Sequence, residues 1–500
     1  MLLVTRLIYF MLLAVMSCIL LSIVIFTKYN IIFTLAMVVG ILFLLLISYK
    51  ILDKHNISNK MMKCFFGISL VFIVIIQLLM MFKYEVKPSA DFGVIFNQAV
   101  KLADIEGLNK IGSYFEMYPN NIPLLALMTL WLKLMKLLGV VNYKISAVIL
   151  NIIFIDTAVT FFYLSSKRIF KNNDSIILVM MMIMFLPFYT YVGMFYTDTM
   201  SMPFIAIIVY LSTFIGDECT GYKNNYRKII LLVLLGVTAC LGFKMKATVG
   251  ILLIAFIIFE IIMKKNFKLK MINIGVALCS FIITGVIVGN CINLVLPINH
   301  KGQSEKSLPY THWVMMGLGK SGYYNEEVFG NGAPLTYSKL SAVGFYDEKD
   351  VVETSKHNTY NDKIRFNLQE INAKISSYGV SGMAKHIVKK TICTWGDGTY
   401  YALLYLPTEK FTPAKIKVYR NISFAYHITL IFLFIVGLIG IIKKRKHNTD
   451  FIVYVSILGL VIFLSIWETS PRYVLNFMPL ILFQASPAVG ELCDKIKFRK

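Results

Sequence analysis

Acidic residues are scarce in this sequence: its 500 residues include 27 aspartates and glutamates against 50 lysines and arginines, a formal net charge of +23. In a soluble protein this excess would suggest a nucleic-acid partner. Here, however, only 15% of the residues are charged, 57% are hydrophobic, and the mean hydropathy is +0.70. That composition excludes a soluble globular protein and predicts a polytopic membrane protein with lysines in its loops, so no nucleic-acid partner is expected.

Several enzyme motifs are also absent. There is no Walker A sequence and no GxGxxG before a βαβ pattern, so nothing indicates nucleotide binding. There is no GxSxG elbow and no HExxH zinc motif. The eight cysteines are scattered, form no CxxC pair and lie mostly in or beside hydrophobic segments, which argues against a disulfide framework or zinc site. The sequence therefore contains no motif that identifies a cofactor.

Hydrophobic segments of about 17 to 25 residues predict about twelve transmembrane helices. These segments are 7–27, 31–49, 64–82, 144–165, 175–194, 200–216, 228–244, 247–263, 271–296, 422–442, 450–467 and 473–490. No small-residue cleavage site follows the first segment, so we expect a retained helix rather than a cleaved signal peptide.

Basic loops predict the orientation. If both termini are cytoplasmic, all the lysine-rich loops fall on the cytoplasmic side, as the positive-inside rule requires. Those loops are 50–63, 167–171, 227–228, 264–270, 443–446 and 495–500. We therefore expect a multi-pass protein of the cytoplasmic membrane, with three notable outer pieces: the loop 83–143, the turn around Asp198, and the segment 297–421.

One hydrophobic stretch, 122–139, does not fit this count, because counting it as a span would reverse every later loop. Lys133 and Lys136 lie on one helical face of the stretch, and Pro119 and Pro123 stand at its start. This pattern predicts an amphipathic helix that lies at the outer membrane surface or re-enters there. An ordinary span is the alternative.

The predicted organisation is an all-α membrane protein with a mixed extracytoplasmic subdomain. Its regions are an N-terminal hairpin and cytoplasmic loop (1–63), a transmembrane core (64–296), the outer subdomain (297–421), and C-terminal helices with a basic tail (422–500).

Two aspartates are the candidate catalytic residues. Asp91 and Asp198 each follow a hydrophobic segment, and both lie on the outer side in the predicted topology. An acid near a helix end is often only a cap. Asp91, however, precedes a loop that combines acids with aromatic residues, and a carboxylate there could act as a general base toward an acceptor hydroxyl. Two acids on one face could also hold a divalent cation, so metal dependence is open.

Three basic residues lie on the predicted outer side, against the usual charge bias. Lys244 and Lys246 lie between two spans, and Arg472 opens the last span. A lipid phosphate is the natural anion for them, although snorkelling lysines or a pair between Arg472 and Glu468 would also explain them. Further candidate substrate-binding residues are Glu116, Tyr118, Asn120, Asn121, Tyr196, Trp395, Asp397 and Tyr473. For Trp395, a membrane-interface belt is the simpler interpretation.

The arrangement resembles the GT-C glycosyltransferases that use phospholipid carriers, a branch that includes protein O-mannosyltransferases and aminoarabinose transferases. The resemblance covers most of residues 64–490 and depends on short motifs. These are Ala90-Asp91, Tyr114-Phe115 through Tyr118-Pro119-Asn120-Asn121, Tyr196-Thr197-Asp198, Lys244-Met245-Lys246 and Pro471-Arg472-Tyr473. The chain departs from the mannosyltransferases at Phe92, where they carry a glutamate after the aspartate, so mannose transfer to protein is unsupported.

The resemblance implies a sugar donor linked to polyprenyl phosphate and a cell-envelope acceptor, which would be a glycan, glycolipid or protein. Asp91 would deprotonate the acceptor hydroxyl, and Asp198 would orient a substrate. Lys244, Lys246 and Arg472 would stabilise the leaving phosphate, and the anomeric centre would be inverted. Two other functions stay open: a polysaccharide polymerase or ligase of the O-antigen type, and a twelve-span transporter of lipid-linked sugars.

Overall fold

The computed structural model describes residues 2–26, 29–55, 57–104, 110–217, 225–263, 266–319, 343–410, 412–444 and 450–496. Within these ranges the chain folds into helices and contains no β-strand, which confirms an all-α polytopic membrane protein. Parts of three basic loops (264–265, 445–446 and 497–500) lie outside the described residues.

Most of the described residues lie in α-helices. In chain order they are α1 (Leu2–Phe26), α2 (Ile31–Lys54), α3 (Asn59–Lys83), α4 (Ala90–Asp104), α5 (Tyr114–Met117), α6 (Ile122–Leu137), α7 (Tyr143–Ile169), α8 (Asn172–Met184), α9 (Pro187–Thr190), α10 (Thr197–Met200), α11 (Met202–Asp217), α12 (Asn225–Met245), α13 (Gly250–Ile262), α14 (Phe267–Val295), α15 (His300–Lys306), α16 (Tyr310–Gly317), α17 (Glu348–Ser355), α18 (Tyr360–Trp395), α19 (Ala402–Tyr405), α20 (Pro413–Lys444), α21 (Asp450–Ile466) and α22 (Met478–Lys495). Short 3₁₀ helices lie at Pro119–Asn121, Ala247–Val249, Thr408–Lys410 and Pro471–Phe477.

Each of the twelve predicted spans overlaps an apolar helix, although the apolar helix in the span 175–194 ends at Met184. Among the described residues, nine segments have the length and composition needed to cross a membrane: Leu3–Phe26, Ile31–Lys54, Asn59–Lys83, Tyr143–Ile169, Thr197–Ile215, Tyr226–Met245, Phe267–Val295, Pro413–Lys443 and Pro471–Lys495. The other three predicted spans correspond to shorter apolar helices, Asn172–Met184, Ala247–Ile262 and Asp450–Ile466.

Side-chain caps set the starts of several spans. The side chains of Asn30, Ser58 and Asn142 accept hydrogen bonds from backbone N–H groups three residues later, at 3.1, 3.2 and 3.1 Å. A short polar side chain in this position satisfies one of the donors that the first helical turn leaves free. The polar residue between two hydrophobic runs therefore decides where each of these helices begins.

The core of the molecule lies around its C-terminal helices. The segments Pro413–Lys443 and Pro471–Lys495 are 72% and 89% buried by the rest of the protein. In Ile31–Lys54 and Phe267–Val295 only 17% and 11% of the residues in the corresponding window are buried, although Ile31–Lys54 is the most apolar of the four segments. Apolar surface of that extent is suited to lipid tails rather than water. The peripheral helices therefore face lipid, and the C-terminal helices form the packed centre.

Helix α6 covers most of the ambiguous stretch 122–139. Its 16 residues span about 24 Å at 1.5 Å per residue, less than a hydrocarbon core of about 30 Å. It packs against α4 of the same outer loop, and Lys136 lies 3.5 Å from Asp104 at the end of that helix. A surface helix would show this packing, but its position in the membrane stays a prediction.

The segment 297–421, for which an outer location is predicted, is helical in its described residues, whereas the sequence predicted mixed secondary structure. Side-chain caps explain the difference, because Asp347 and Thr359 accept backbone N–H bonds at 3.0 and 3.1 Å and so start α17 and α18 in polar sequence. Helix α18 is broken at Gly379, whose positive φ of 58° is a conformation that glycine adopts readily. Residues 320–342 of this segment lie outside the described part.

Candidate active site

Asp91 lies in the first turn of α4, immediately after Ala90, whose φ of +45° is a left-handed conformation that an alanine rarely adopts. The backbone at Gly93 packs tightly against Pro88, because a Cβ there would come within 2.7 Å of the proline carbonyl carbon. The Asp91 side chain is half-buried, so it stays accessible. The local chain path thus fixes this carboxylate at the start of the outer loop.

Two tyrosine hydroxyls hold the Asp91 carboxylate. The Tyr114 hydroxyl donates to Oδ1 at 2.8 Å, and the Tyr196 hydroxyl lies 3.2 Å from Oδ2. The same Tyr196 hydroxyl is also 3.1 Å from Oδ1 of Asn121, so its single proton is shared between two acceptors. Asn121 in turn donates to the Tyr114 hydroxyl at 2.6 Å. The predicted residues Asp91, Asn121 and Tyr196 therefore belong to one hydrogen-bonded network.

Asp198 lies in the first turn of α10 and is 1% exposed. Lys246 Nζ donates a hydrogen bond to Asp198 Oδ1, and Arg472 Nε lies 3.3 Å from Oδ2. One carboxylate thus faces two cations, which leaves an excess of one positive charge. Burial lowers the pKa of Lys246, and the charge and hydrogen bond of Asp198 oppose that effect.

A buried asparagine ties together the chain segments that carry these charges. Asn476 donates to Ser201 Oγ and to Thr248 Oγ1, both at 3.1 Å. Ser201 follows α10, Thr248 follows Lys246, and Asn476 is in the same 3₁₀ helix as Arg472. The ion cluster is therefore braced by polar contacts between distant parts of the chain.

Arg472 connects the two aspartates through Tyr196. Its guanidinium carbon lies 5.0 Å from the centre of the Tyr196 ring, within range of a cation–π interaction. Its Nη1 donates to the Tyr405 hydroxyl at 3.0 Å. The Tyr196 ring thus lies beside Arg472 while its hydroxyl reaches Asp91. One site contains an accessible acid and a buried acid bound to two cations.

Glu468 is a third acid of this site, and the sequence suggested it only as a partner for Arg472. It is buried, and the Tyr473 hydroxyl donates to its Oε2 at 2.8 Å. Burial raises the pKa of Glu468 to about 7, the hydrogen bond from Tyr473 and the charge of Arg472 oppose the rise, and the charge of Asp91 adds to it. The Tyr473 ring also lies 5.2 Å from Lys246 Nζ.

Tyr114 and Tyr405 are also site residues that the sequence prediction of functional residues missed. Burial is the main cause that raises the pKa of the Tyr114 hydroxyl, so it is a neutral donor at physiological pH. Tyr114 belonged to the motif behind the resemblance, which was a usable signal. Tyr405 lies near the end of the segment 297–421, and nothing in its sequence context indicates a contact with Arg472.

Other predicted residues lie beside this network. Glu116 is buried and bonded to Lys306 and Asn299, at 2.7 and 2.8 Å, and the hydrogen bonds of Lys306 are the main cause that lowers its pKa. The ring of Tyr118 lies 5.0 Å from that of Tyr114, and Asn120 Nδ2 is 3.4 Å from Asn121 Oδ1.

Three further predicted residues have other surroundings. Lys244 is half-buried near the end of α12 and forms no ion pair with any residue that the structure describes. Trp395 is 1% exposed, and its carbonyl accepts from His427. Asp397 is 5% exposed and accepts hydrogen bonds from Thr399 and Tyr401 of its own turn. Asp397 thus stabilises the turn that leads to Tyr405.

No three His, Cys, Asp or Glu side chains come together as metal ligands within the described ranges. The acids of the site are instead bound by tyrosine hydroxyls, an ammonium and a guanidinium.

A sequence model of the family described as "conserved hypothetical integral membrane protein" matches residues 2–329. No curated protein matches the chain. Among solved structures, the chain is similar to the archaeal oligosaccharyltransferase AglB from Archaeoglobus fulgidus, in complex with an inhibitory peptide and a dolichol-phosphate, with a TM-score of 0.43 and 10% identity. That similarity covers 85% of this chain and 50% of the other, so this chain spans about half the length of that protein.

Proposed function

This chain belongs to the conserved hypothetical integral membrane protein family, and we propose that it is a membrane glycosyltransferase. It would move a sugar from a polyprenyl-phosphate donor to a cell-envelope acceptor at the outer face of the cytoplasmic membrane. The observation that carries the proposal is the pairing of an accessible carboxylate, Asp91, with a buried cluster of Lys246 and Arg472 around Asp198. The tyrosine between them, Tyr196, places the two parts side by side.

The reaction divides between these two parts of the site. The acceptor hydroxyl oxygen attacks the anomeric carbon, and the bond from that carbon to the phosphate oxygen breaks. Asp91 takes the hydroxyl proton, since it is half-exposed and its partners are neutral phenols that donate to it without occupying all its lone pairs. The lipid phosphate leaves with the bonding electron pair. Attack from the side opposite the leaving group inverts the anomeric centre.

The cations act on the leaving phosphate. Asp198 is the one carboxylate in direct contact with both Lys246 and Arg472, so this pair of cations keeps a local surplus of positive charge. Their side chains are only 11% and 16% exposed, and a charge so shielded interacts more strongly with an anion than it would in water. Arg472 offers further N–H donors beyond those directed at Asp198 and Tyr405. Asp198 positions both cations before the donor arrives.

The test is transfer by the purified full-length protein in detergent. Wild type receives a panel of radiolabelled polyprenyl-phosphate sugars with cell-envelope extract as acceptor, and release of polyprenyl phosphate is followed. We expect Asp91→Asn to abolish transfer. Asp104→Asn is the matched control, because Asp104 is an exposed acid at the other end of the same helix, and this variant should retain transfer.

Different outcomes separate the alternatives. Full transfer by a folded Asp91→Asn protein would refute the assigned base. Products that grow by whole repeat units would favour a polymerase or ligase. Passage of an intact lipid-linked sugar across a proteoliposome membrane, with no sugar transferred, would favour a transporter and refute the glycosyltransferase.

A further inference from the structure

Six aromatic side chains form a strip of two groups, joined by one small apolar cluster, that begins at Asp91 and continues over the segment 297–421. We call it the aromatic strip. Its members, in spatial order from the site, are Tyr114, Tyr118, Tyr346, Trp313, Trp467 and Tyr310. All six are half-buried or exposed, so each one keeps part of its ring open.

The inner half of the strip starts at the catalytic candidate. Tyr114 donates to Asp91, and its ring centre lies 5.0 Å from that of Tyr118. Tyr118 is hydrogen-bonded to Tyr346. Both tyrosines pack against a small apolar cluster around Leu308, which includes Met316 and Val351. The first outer loop and the segment 297–421 therefore share this part of the strip.

The outer half consists of two stacked indoles and a tyrosine. Trp313 packs on the same apolar cluster as Tyr118 and Tyr346. The rings of Trp313 and Trp467 are parallel within 7°, with centres 5.7 Å apart. Tyr310 lies 6.3 Å from Trp313 and 6.2 Å from Trp467, and it is 63% exposed. The strip thus ends at an open aromatic surface.

The position of these rings differs from that of a membrane-interface belt. Such a belt places Trp and Tyr at the ends of spanning helices. Only Trp467 directly follows a span, α21, whereas Tyr310 and Trp313 are in α16 and Tyr346 precedes α17. Trp467 is held by Lys390, which donates to its carbonyl oxygen, and it is the neighbour of Glu468. The strip is therefore built by outer elements and joined to the site.

The charges that act on the two inner tyrosines, Tyr118 and Tyr346, are acidic, whereas Lys390 contacts Trp467 in the outer half. Asp91 and Glu468 both act on Tyr118, and Glu348 and Asp91 act on Tyr346; with burial as the main cause, they raise the pKa of both hydroxyls. An acidic environment repels a polyanion such as a phosphate-rich polymer. It does not oppose an uncharged ligand.

We propose that the aromatic strip binds the acceptor and that the acceptor is a chain of neutral sugars. The faces of sugar rings carry C–H groups that stack on aromatic rings, while tyrosine hydroxyls and indole N–H groups bind sugar hydroxyls. A saccharide lying along the strip would bring its terminal hydroxyl to Asp91. This assignment rests on the proposed function, because it identifies the acceptor of that same site.

The experiment measures binding without a donor. Full-length protein in nanodiscs is titrated with a neutral hexasaccharide and with polyglycerol phosphate, and intrinsic tryptophan fluorescence is recorded. We expect the neutral hexasaccharide alone to change the emission. Trp313→Ala and Tyr310→Ala should each weaken its Kd about three- to tenfold, the effect of losing one aromatic contact. Tyr310 is exposed, so its variant should fold normally. Tyr226→Ala is the matched control, since Tyr226 is 83% exposed and far along the chain from the strip.

The result that would overturn the proposal is an unchanged Kd in both strip variants, binding of the polyanion alone, or no binding of the neutral hexasaccharide. The experiments distinguish a wrong assignment of the aromatic strip from a wrong proposed function. Asp91-dependent sugar transfer without saccharide binding would refute only the strip. Saccharide binding that Trp313→Ala weakens, in a protein that transfers no sugar, would refute only the glycosyltransferase.

Discussion

Arg472 Nε lies 3.3 Å from Oδ2 of Asp198, which joins the last membrane segment to a turn in the first half of the chain. Asp198 is almost fully buried, so this contact requires the two segments to be packed together. It makes the C-terminal helices part of the site as well as part of the core. The first predictions follow from this contact.

Replacing Arg472 should impair transfer more strongly when the new side chain lacks both the positive charge and the planar guanidinium group. Arg472→Ala removes the cation and its contact with Tyr405, and we expect the transfer rate to fall about a hundredfold or more. Arg472→Lys keeps the charge but not the planar fork, so its rate should be intermediate. Initial rates under saturating donor would show this. Arg365→Ala, at an arginine that is 80% exposed, is the control. Equal rates for the Lys variant and wild type would contradict a role for the fork.

Neutralising Asp198 should destabilise the protein. Asp198→Asn leaves Lys246 and Arg472 close together without their carboxylate, and removing one member of a buried ionic cluster costs about 3 kcal/mol or more. Thermal unfolding in detergent would measure the loss.

The control for that loss is Asp350→Asn, because Asp350 and Lys374 form a partly exposed pair at 3.6 Å. Its loss should change stability by about 1 kcal/mol or less. Asp198→Asn and Lys246→Met together should cost less than the sum of the single changes. A purely additive result would argue against direct coupling.

Gly93→Ala should reduce activity more than stability. The new Cβ would come within 2.7 Å of the Pro88 backbone, so the start of α4 must shift and Asp91 with it. We expect a transfer rate about tenfold lower, since small displacements of a reacting group are costly. Gly40→Ala is the control in a membrane helix, where a Cβ meets no atom within 4 Å. An unchanged rate for Gly93→Ala would show that the α4 start tolerates the shift.

The stability of the protein should depend on pH through Glu468. Its pKa rises from the usual 4.5 to about 7 on folding, so between these values the folded state binds more protons than the unfolded state. The contribution of Glu468 to the free energy of unfolding is therefore fully present below pH 4.5 and is lost as the pH rises toward 7. As the pH rises from 5 to 7.5, the stability of Glu468→Gln relative to that of wild type should therefore increase. Unfolding temperatures of both proteins at the two pH values provide the check.

A separate group governs the alkaline range. Burial lowers the pKa of Lys390 from 10.5 to about 7, and the charge of Glu468 partly opposes this. Stability from Lys390 should increase as the pH rises from 7 to 10.5. Measurements at or below pH 7.5 therefore report mainly on the titration of Glu468. A stability difference between Glu468→Gln and wild type that does not change with pH would contradict the raised pKa of Glu468.

Hydropathy and loop charge suffice to predict the membrane part of the fold, because lipid requires long apolar runs with internally satisfied backbones. The prediction of mixed secondary structure in the segment 297–421 was wrong for its described residues. Helix caps such as Asp347 start helices there in polar sequence that lacks a strong apolar periodicity. Its predicted boundaries stay predictions.

The site was partly visible in the sequence. Asp91, Asp198 and Lys246 stood out because charge at the ends of apolar spans is costly and therefore conspicuous. Tyr405 was not identified, because its contact with Arg472 joins distant segments, and Glu468 was noted only as a partner for Arg472. Conversely, the aromatic and acidic run around Asp397 looked like a binding surface, but the carboxylate is used by its own turn.

The order in which the charged residues occur along the chain matters during synthesis. Lys246 follows Asp198 by 48 residues, whereas Arg472 lies more than 200 residues beyond Lys246. Asp198 and Lys246 can therefore pair soon after their helices insert, before Arg472 has been synthesised. A nascent chain interrupted before residue 472 would carry a neutral pair and would lack the surplus positive charge. In the proposed function, the surplus charge that binds phosphate would then arise only after Arg472 has been synthesised.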